Sequence, residues 1–116
     1  MLFVCPVCGG KLNIEPSRAV CPSGHSFDKS RRGYYNLLIG RGGAHGDNRE
    51  MVLARRAFLE EGHYAPLAAL IADKVSELLA DGGAVLDAGC GEGYYTLAVK
   101  RATAERGVRI SAFDIS

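Results

Sequence analysis

Three cysteines and a histidine near the start of the chain have the spacing of metal ligands. Cys5 and Cys8 enclose two residues, twelve residues follow, and Cys21 and His25 enclose three more. Two close ligand pairs separated in this way are typical of tetrahedral zinc sites. Proline and glycine beside each pair favour the tight turns that such ligands need. The spacing therefore predicts one Zn²⁺ ion, in a closed structural site because four protein ligands leave no open position.

Two other uses of these cysteines fit the sequence less well. A disulfide framework favours an even number of cysteines and an oxidising compartment, and the first residues, MLFVCPVCGG, do not have the pattern of a secretory signal. A thioredoxin-like redox pair at Cys5 and Cys8 needs a βαβ unit around it, which the sequence does not predict. Since the module holds few apolar residues, we expect it to need the metal in order to fold.

A second motif, DAGCGEG at residues 87–93, follows a short apolar run at residues 84–86. The run predicts a buried strand, residues 94–105 a helix, and residues 108–113 a second strand that ends at Asp114. A strand, a glycine loop, a helix and a second strand form the opening half of a Rossmann-like α/β sheet. Ligands of such sheets bind beyond the carboxyl ends of the strands, where this loop is expected to lie.

The charges around the glycine loop favour a cationic cofactor. A dinucleotide binds its pyrophosphate at the helix N-terminus, where Asp87 and Glu92 would repel it. S-adenosyl-L-methionine carries a sulfonium and an ammonium group and no phosphate, and Asp114 can accept hydrogen bonds from both ribose hydroxyls. We therefore predict S-adenosylmethionine, with a nicotinamide cofactor as the alternative. The predicted contacts are Asp87, Gly89, Gly91, Glu92, Gly93 and Asp114.

A basic segment separates the two motifs. Arg31, Arg32 and Arg41 lie along or beside a glycine-rich linker at residues 37–48. Arginines with interleaved tyrosines on flexible backbone are suited to grip phosphates and to stack on unpaired bases, so we predict RNA contact for the three arginines. For the tyrosines the alternative stays open that Tyr34, together with residues 37–38, packs against the zinc module.

Two helices are predicted between this linker and the glycine motif. Asp47 or Asn48 is suited to cap the first, which runs to Glu61 with an apolar stripe that includes Met51, Phe58 and Leu59. A proline at position 66 suits the first turn of the second helix, whose apolar residues recur at three- and four-residue steps up to position 79. This second helix is expected to cover one face of the sheet that follows.

Length and composition limit the classes of protein that remain. The 116 residues, 47% hydrophobic and 23% charged, suit one small domain followed by part of a larger one. The apolar runs are too short for a transmembrane helix, and a cytoplasmic location is expected by default. Residues 1–56 carry nine Lys/Arg against four Asp/Glu, whereas residues 57–116 carry five against nine. The front of the chain is therefore expected to meet an anionic partner.

Four blocks in this order, CPVC…CPSGHSFD, GYYNLL, ARRAFLEEGHYAPL and VLDAGCGEGYYT, resemble the RlmA-type 23S rRNA guanine-N1 methyltransferases. The resemblance implies a zinc finger that helps recognise the rRNA and a Rossmann-like class I methyltransferase domain that binds S-adenosylmethionine. It implies methyl transfer to N1 of a guanine in a 23S rRNA hairpin loop. It also assigns the zinc to the four ligands named above and adds Tyr64 to the cofactor contacts, beside Gly91 and Glu92.

A domain of this class has further strands and helices after Asp114. We therefore expect the N-terminal part of a longer enzyme, inactive alone: a zinc-binding finger at residues 1–36, the linker at 37–48, and a helical lead-in with the first β-α-β unit at 49–116. The general base is expected outside these residues. Two other functions stay open, a non-catalytic zinc-ribbon RNA-binding module and a methyltransferase that acts on a protein or small molecule. A homodimer also stays open.

Overall fold

A computed structural model describes residues 2–40 and 46–116 of the chain. Contacts divide the protein into two compact units, Met1–Gly43 and Ala44–Ser116. In the described residues the first unit contains short antiparallel strands, and the second contains three helices and two parallel strands. None of the helices in these ranges has the length and apolarity required to cross a bilayer.

The first unit is built on a three-stranded antiparallel sheet in the order β1-β2-β3. Its strands are β1 Asn13–Ile14, β2 Arg18–Val20 and β3 Ser26–Asp28. A tight turn joins β1 to β2, in which the Glu15 N–H donates to the Arg18 carbonyl over 2.8 Å. Strands of two or three residues bury little surface, so the sheet depends on what packs beside it.

The core of this unit is very small. Its buried residues are Cys5, Leu12, Ala19 and Cys21, with Phe27, Tyr35 and Leu37 packed at its edge. Two of the four buried positions are cysteines and one is alanine, so the unit has little apolar area to stabilise it. This composition agrees with the expectation that the module needs a metal in order to fold.

The residues that pack on this core differ from the predicted ones by one position. Tyr34 is 61% exposed, and Tyr35 instead pairs with Lys29 and packs against the core. Leu37 packs there too, whereas Leu38 is 63% exposed. Successive side chains of an extended segment point to opposite sides, so residues 35 and 37 share the inner side. The alternative that was left open, in which Tyr34 packs against the zinc module, is therefore not what the structure shows.

Helix α1, Arg49–Glu60, begins at the predicted cap. The side-chain oxygen of Asn48 accepts a hydrogen bond from the Met51 N–H over 2.9 Å, which satisfies one of the free N–H groups of the first turn. Asp47 is not the cap, because its carboxylate pairs with Arg55. The predicted apolar stripe is also narrower than expected, since Leu59 is the one buried side chain that α1 contributes.

Helix α2, Ala65–Leu78, starts with Pro66 in its first turn and packs against α3, Tyr94–Ala102. Its buried residues are Ala68 and Ala72, one turn apart, and small side chains at a contact let two helices approach closely. The leucines at positions 67, 70 and 78 are exposed by 42%, 55% and 86%. The amphipathic pattern therefore predicted the helix, but not which residues face its neighbour.

Strands β4, Ala84–Ala88, and β5, Arg109–Phe113, form a parallel pair with α3 between them in the chain. The predicted strand, loop, helix and strand thus occur in that order, with bounds that differ by at most three residues. Leu86 and Phe113 are 55% and 48% exposed. Val85 and Ile110 are half-buried and line a cavity of about 300 Å³ beneath α2 and α3.

The C-terminal end of α2 is held by Arg106, from the loop before β5. Its guanidinium donates to the Ser76 carbonyl at 2.9 Å, the Ser76 hydroxyl at 2.7 Å and the Leu79 carbonyl, and it pairs with Asp81 at 2.7 Å. Carbonyls at a helix C-terminus carry partial negative charge and lack intrahelical partners, so a cation there is stabilising. The last turn of α2 has no basic residue of its own.

Candidate metal centre and cofactor loop

Two tight turns bring the predicted metal ligands together. In the first turn the Gly9 N–H donates to the Cys5 carbonyl over 2.8 Å, and in the second the Gly24 N–H donates to the Cys21 carbonyl over 2.9 Å. Both glycines have positive φ, +73° and +86°, a conformation in which residues with a Cβ are strained. The glycine beside each ligand pair is therefore required by the turn itself.

The four side chains have the spacing of a tetrahedral metal site. Their ligand atoms all lie within 4.8 Å of one another. His25 Nδ1 is 3.3 Å from Cys21 Sγ and 3.6 Å from Cys5 Sγ, and the Sγ atoms of Cys8 and Cys21 are 3.6 Å apart. Ligands about 2.3 Å from a central zinc ion are separated by about 3.7 Å in a regular tetrahedron. The residues present thus fit Zn²⁺.

The protonation of two of the cysteines also suits a metal. The Gly10 N–H and then the His25 ring lower the pKa of the Cys8 thiol to about 6. Burial raises the pKa of Cys21, but hydrogen bonds from the His25 backbone and ring outweigh it and the pKa is lowered. Burial raises the pKa of Cys5. Because thiolate is the form that binds zinc, two of the three cysteines are already shifted toward it.

The glycine loop between β4 and α3 is held by its own backbone. The N–H groups of Gly89 and Cys90 donate to the Phe113 carbonyl at 2.9 and 3.1 Å, which ties the start of the loop to the end of β5. Gly89, Gly91 and Gly93 have φ of +75°, +57° and +92°. The loop thus turns three times through a conformation that favours glycine, and this explains the alternate glycines of the motif.

Three carboxylates surround the loop, and each has a partner. Asp87 accepts from the Thr96 hydroxyl at 2.5 Å. Asp114 Oδ2 accepts from the Gly91 N–H at 2.7 Å, and this bond joins the glycine loop to the tip of β5. Glu92 Oε2 lies 3.4 Å from Arg56 Nε. The structure therefore brings all the loop residues predicted for the cofactor to one edge of the β4–β5 pair.

The carboxyl group of Asp114 is the most strongly held of the three. Its Oδ1 accepts from the Ser116 hydroxyl and, at 2.8 Å, from the Ser116 N–H. The Ser116 hydroxyl, the Ser116 N–H and then the Gly91 N–H lower the pKa of Asp114. Hydrogen bonds to the charged form favour that form, so Asp114 is an anion at neutral pH.

The thiol of Cys90, in the glycine loop, has a raised pKa. Burial, followed by the charges of Asp87 and Asp114, raises the pKa of the Cys90 thiol. A thiol kept protonated is unreactive, because the thiolate is the attacking form. Cys90 is therefore kept in its protonated form at neutral pH.

Tyr64 lies at the start of α2 and is 43% exposed. Its ring meets Phe58 edge to face at 5.7 Å, and Phe58 in turn stacks on His63 at 5.3 Å. Within the described ranges no hydrogen bond or ring contact joins Tyr64 to residues 87–93. A role of Tyr64 toward the cofactor thus rests on the sequence resemblance.

Of the three arginines predicted to contact RNA, two are described. Arg31 and Arg32 occupy an exposed turn directly after β3, and Gly33 follows with φ of +93°. Arg41 lies outside the described residues. The exposed turn leaves both guanidinium groups accessible to an anionic partner.

Sequence reasoning missed Thr96 and Arg56, the partners of Asp87 and Glu92. Thr96 lies in the first turn of α3, nine residues after Asp87, and the strand-loop-helix pattern was the signal that could have placed the two side chains together. Arg56 lies far from Glu92 in sequence. From the sequence alone, only the pairing of Arg56 with Glu60, four residues later on the same helix, could be predicted.

These features define a zinc-ribbon protein with an α/β unit after the ribbon. A family model described as "RlmA, N-terminal", a zinc ribbon, matches residues 3–39. Over 113 residues the chain is 44% identical to a putative 23S rRNA (guanine-N(1)-)-methyltransferase of Micromonospora griseorubida. The alignment covers 82% of this chain and 38% of that protein.

Two further relatives have similar names. The chain is 38% identical to a 23S rRNA (guanine(748)-N(1))-methyltransferase of Streptomyces fradiae, over 78% of this chain and 33% of that protein. It is 34% identical to a putative 23S rRNA (guanine-N(1)-)-methyltransferase of Bacillus subtilis (strain 168). That alignment covers 79% of this chain and 34% of the relative. The ribbon at residues 3–39 belongs to the RlmA-type zinc-ribbon family, and the aligned part of the chain spans about a third of the length of these relatives.

Proposed function

We propose that this chain provides the zinc ribbon and the cofactor loop of an S-adenosylmethionine-dependent enzyme that methylates N1 of a guanine in a 23S rRNA hairpin. One observation carries the proposal beyond the names of the relatives. The hydrogen bond from Gly91 to Asp114 holds the glycine loop and the carboxyl ends of two parallel strands at one edge. In Rossmann-like domains this edge is where the cofactor binds.

The zinc ion is assigned to Cys5, Cys8, Cys21 and His25. The distances among their ligand atoms, 3.3 to 3.6 Å where they are in contact, support this assignment. Four protein ligands close the site, so the metal has a structural role and contributes its binding free energy to the folding of the ribbon.

The cofactor is assigned to the loop at residues 87–93 and to Asp114, with Tyr64 added by resemblance. A Cβ built on Gly89 or Gly91 would meet nothing within 4 Å, so open space lies over the loop and a ligand can approach its backbone. A carboxylate offers about four acceptor sites, and Asp114 already uses three. Binding of both ribose hydroxyls by Asp114 therefore requires Ser116 to release at least one of its two hydrogen bonds.

In the transfer step the residues of this chain bind and orient. S-adenosylmethionine supplies the methyl group on a sulfonium centre. Guanine N1 carries a proton at neutral pH, and this proton must leave before or during transfer. Asp87, fixed by Thr96, and the anionic Asp114 provide negative charge beside the loop, which favours a cationic donor over a diphosphate. Fixed alignment of donor and acceptor lowers the barrier by removing the entropy of orientation.

The rRNA hairpin is assigned to the basic front of the chain. Arg31 and Arg32 lie on an exposed turn of the ribbon, and Arg41 continues the same basic segment. Phosphate contacts by arginine give affinity that falls with salt, so replacing all three is expected to weaken hairpin binding and flatten its salt dependence. An unchanged salt slope in the triple variant would remove the arginines from the interface.

Isothermal titration tests the cofactor assignment. We expect S-adenosylmethionine to bind the chain and NAD, which carries a diphosphate, not to bind. Asp114→Asn is expected to weaken S-adenosylmethionine binding, whereas Asp73→Asn, an exposed acid on α2, serves as the matched control. A diphosphate nucleotide bound to residues 89–93 would overturn the proposal. Hairpin RNA binding without cofactor binding would favour the non-catalytic RNA-binding module.

The substrate is tested in cells. Mass mapping of 23S rRNA from cells that lack the gene is expected to show one guanine without its N1 methyl group. A fully methylated 23S rRNA in those cells would redirect the proposal to a protein or small-molecule substrate.

A further inference from the structure

Helix α1 and the glycine loop are joined by one charged contact. Arg56 on α1 lies 3.4 Å from Glu92 Oε2 through its Nε, and the same Nε lies 3.2 Å from Glu60 Oε1. Within the described ranges this is the only ion pair between α1 and the segment from β4 to α3. The Glu92 side chain is 23% exposed, while that of Arg56 is 57% exposed.

Helix α1 has little else to fix it. Leu59 is its one buried side chain, and Met51, Leu53 and Phe58 are each close to half exposed. A helix with so small a buried face gains little of its position from apolar packing. A contact that reaches from the middle of α1 to the glycine loop therefore has more influence on the placement of both than it would have on a well-packed helix.

The middle of the loop is held to the end of β5. Gly89, Cys90 and Gly91 are tied to the end of β5 through the Phe113 carbonyl and the Asp114 carboxylate. Glu92 lies beyond these bonds, and its side chain reaches in the direction of α1 to Arg56. The pair engages Oε2, and in the described part of the chain no partner is found at Oε1, so one acceptor oxygen remains for a ligand.

We propose that Arg56 is a positioning residue for the cofactor loop: it fixes the Glu92 carboxylate between α1 and the loop, so that Glu92 meets the methyl donor in one orientation. This inference rests on the proposed function, since it assigns a role toward the same cofactor. Arg56 does not touch the cofactor itself and acts through Glu92.

Three variants of the 116-residue chain test the proposal. Arg56→Gln removes the charge, Arg56→Lys keeps it, and Arg55→Gln removes the neighbouring charge, which pairs with Asp47 and not with the loop. We expect Arg56→Gln to weaken S-adenosylmethionine binding about two- to fivefold, the effect of a half-exposed ion pair. Arg56→Lys is expected to recover part of the loss, and Arg55→Gln to bind like the unmodified chain.

Amide hydrogen exchange supplies a readout that does not need the cofactor. Arg56→Gln is expected to speed exchange of the amides of residues 91–93 about two- to fivefold and to leave those of β4 and β5 unchanged. Faster exchange throughout the second unit would indicate a general loss of stability and overturn the positioning role. Equal protection of residues 91–93 in Arg56→Gln and Arg55→Gln would overturn it as well.

The two proposals fail in different ways. If the unmodified chain does not bind S-adenosylmethionine, the proposed function falls and takes the cofactor role of Arg56 with it, while exchange still decides whether Arg56 holds the loop. If the unmodified chain binds and Arg56→Gln binds equally well, only the positioning role is overturned.

Discussion

The zinc ribbon and the glycine loop hold their candidate ligands by different parts of the chain. In the ribbon, four side chains from two turns converge on one point, and two of them, Cys5 and Cys21, are half of the buried core. In the second unit, backbone conformation shapes the loop, and the carboxylates beside it are anchored by Thr96, Ser116 and Arg56. The ligand is therefore part of the fold in the first unit and an addition to the fold in the second.

This difference predicts how each unit responds when its ligand is removed. Among the described residues of the ribbon, Leu12 and Ala19 are the only buried core residues that are not ligands, which is too little for a stable domain without metal. The second unit has its own packed helices and a parallel strand pair whatever occupies the loop. Loss of zinc should unfold one unit, whereas loss of the cofactor should leave the other folded.

The largest expected effect is that of Cys21→Ser. Structural zinc contributes about 10–16 kcal/mol to the folding of small fingers, so loss of a buried ligand should abolish both zinc binding and the β1–β3 sheet. We expect zinc content by atomic absorption to fall from one per chain to near zero and the amide signals of residues 5–37 to collapse. Cys90→Ser, which alters the cysteine outside the cluster, is the control. If Cys21→Ser kept its zinc and the amide signals of the ribbon, the claim that the ribbon needs its metal to fold would be wrong.

Arg106→Ala tests the claim that the second unit is stabilised from within. It removes the cation and donors from the C-terminal end of α2 and should lower the free energy of unfolding of this unit by about 1–3 kcal/mol. Urea unfolding followed by α-helical circular dichroism measures the loss. Arg101→Ala, an exposed arginine on α3, should change stability by about 0.5 kcal/mol or less. Equal losses in the two variants would contradict the capping role of Arg106.

Gly91→Ala separates the backbone of the loop from its ligand. At φ of +57° an alanine is strained by about 1 kcal/mol, and its Cβ would enter the open space assigned to the cofactor. Gly107→Ala, at φ of +65° and away from the loop, should bear a similar strain. We expect similar stability losses in the two variants, but weaker S-adenosylmethionine binding only in Gly91→Ala. Equal affinities, measured by isothermal titration, would show that the ligand does not approach the Gly91 backbone.

Ser116→Ala has the smallest expected effect. The Ser116 hydroxyl is the first cause of the lowered pKa of Asp114, so its removal should move that pKa up toward 3.8. A carboxyl with a lowered pKa in the folded state stabilises above its unfolded pKa, and this contribution disappears as pH falls through the folded value. The variant should therefore lose about 0.3 kcal/mol at neutral pH, since the site is partly exposed, and progressively less as pH falls through the folded pKa of Asp114. NMR titration of the Asp114 carboxyl measures the shift; a pKa that moves down would contradict the hydrogen-bond assignment.

Much of the architecture was readable from local patterns. The four metal ligands, the Asn48 cap, the proline start of α2 and the order β4-α3-β5 all follow from the types and spacing of neighbouring residues. The same patterns predicted less reliably which side chains are buried. Leu67, Leu70 and Leu78 fit an amphipathic face but are exposed, whereas Ala68 and Ala72 are buried.

Sequence by itself determined which residues form the metal cluster and the glycine loop, because ligand spacing and glycine positions act over a few residues where the chain has few conformations. Only the tertiary structure decided the long-range contacts. Arg106 binds the C-terminal end of α2, and Arg56 pairs with Glu92. These residues are separated by 27 to 36 positions, and such contacts form only when helices and strands pack. A periodicity indicates which face of a helix or strand is apolar. Which neighbouring element covers that face, and which charged side chain pairs with a distant residue, depend on how the chain folds.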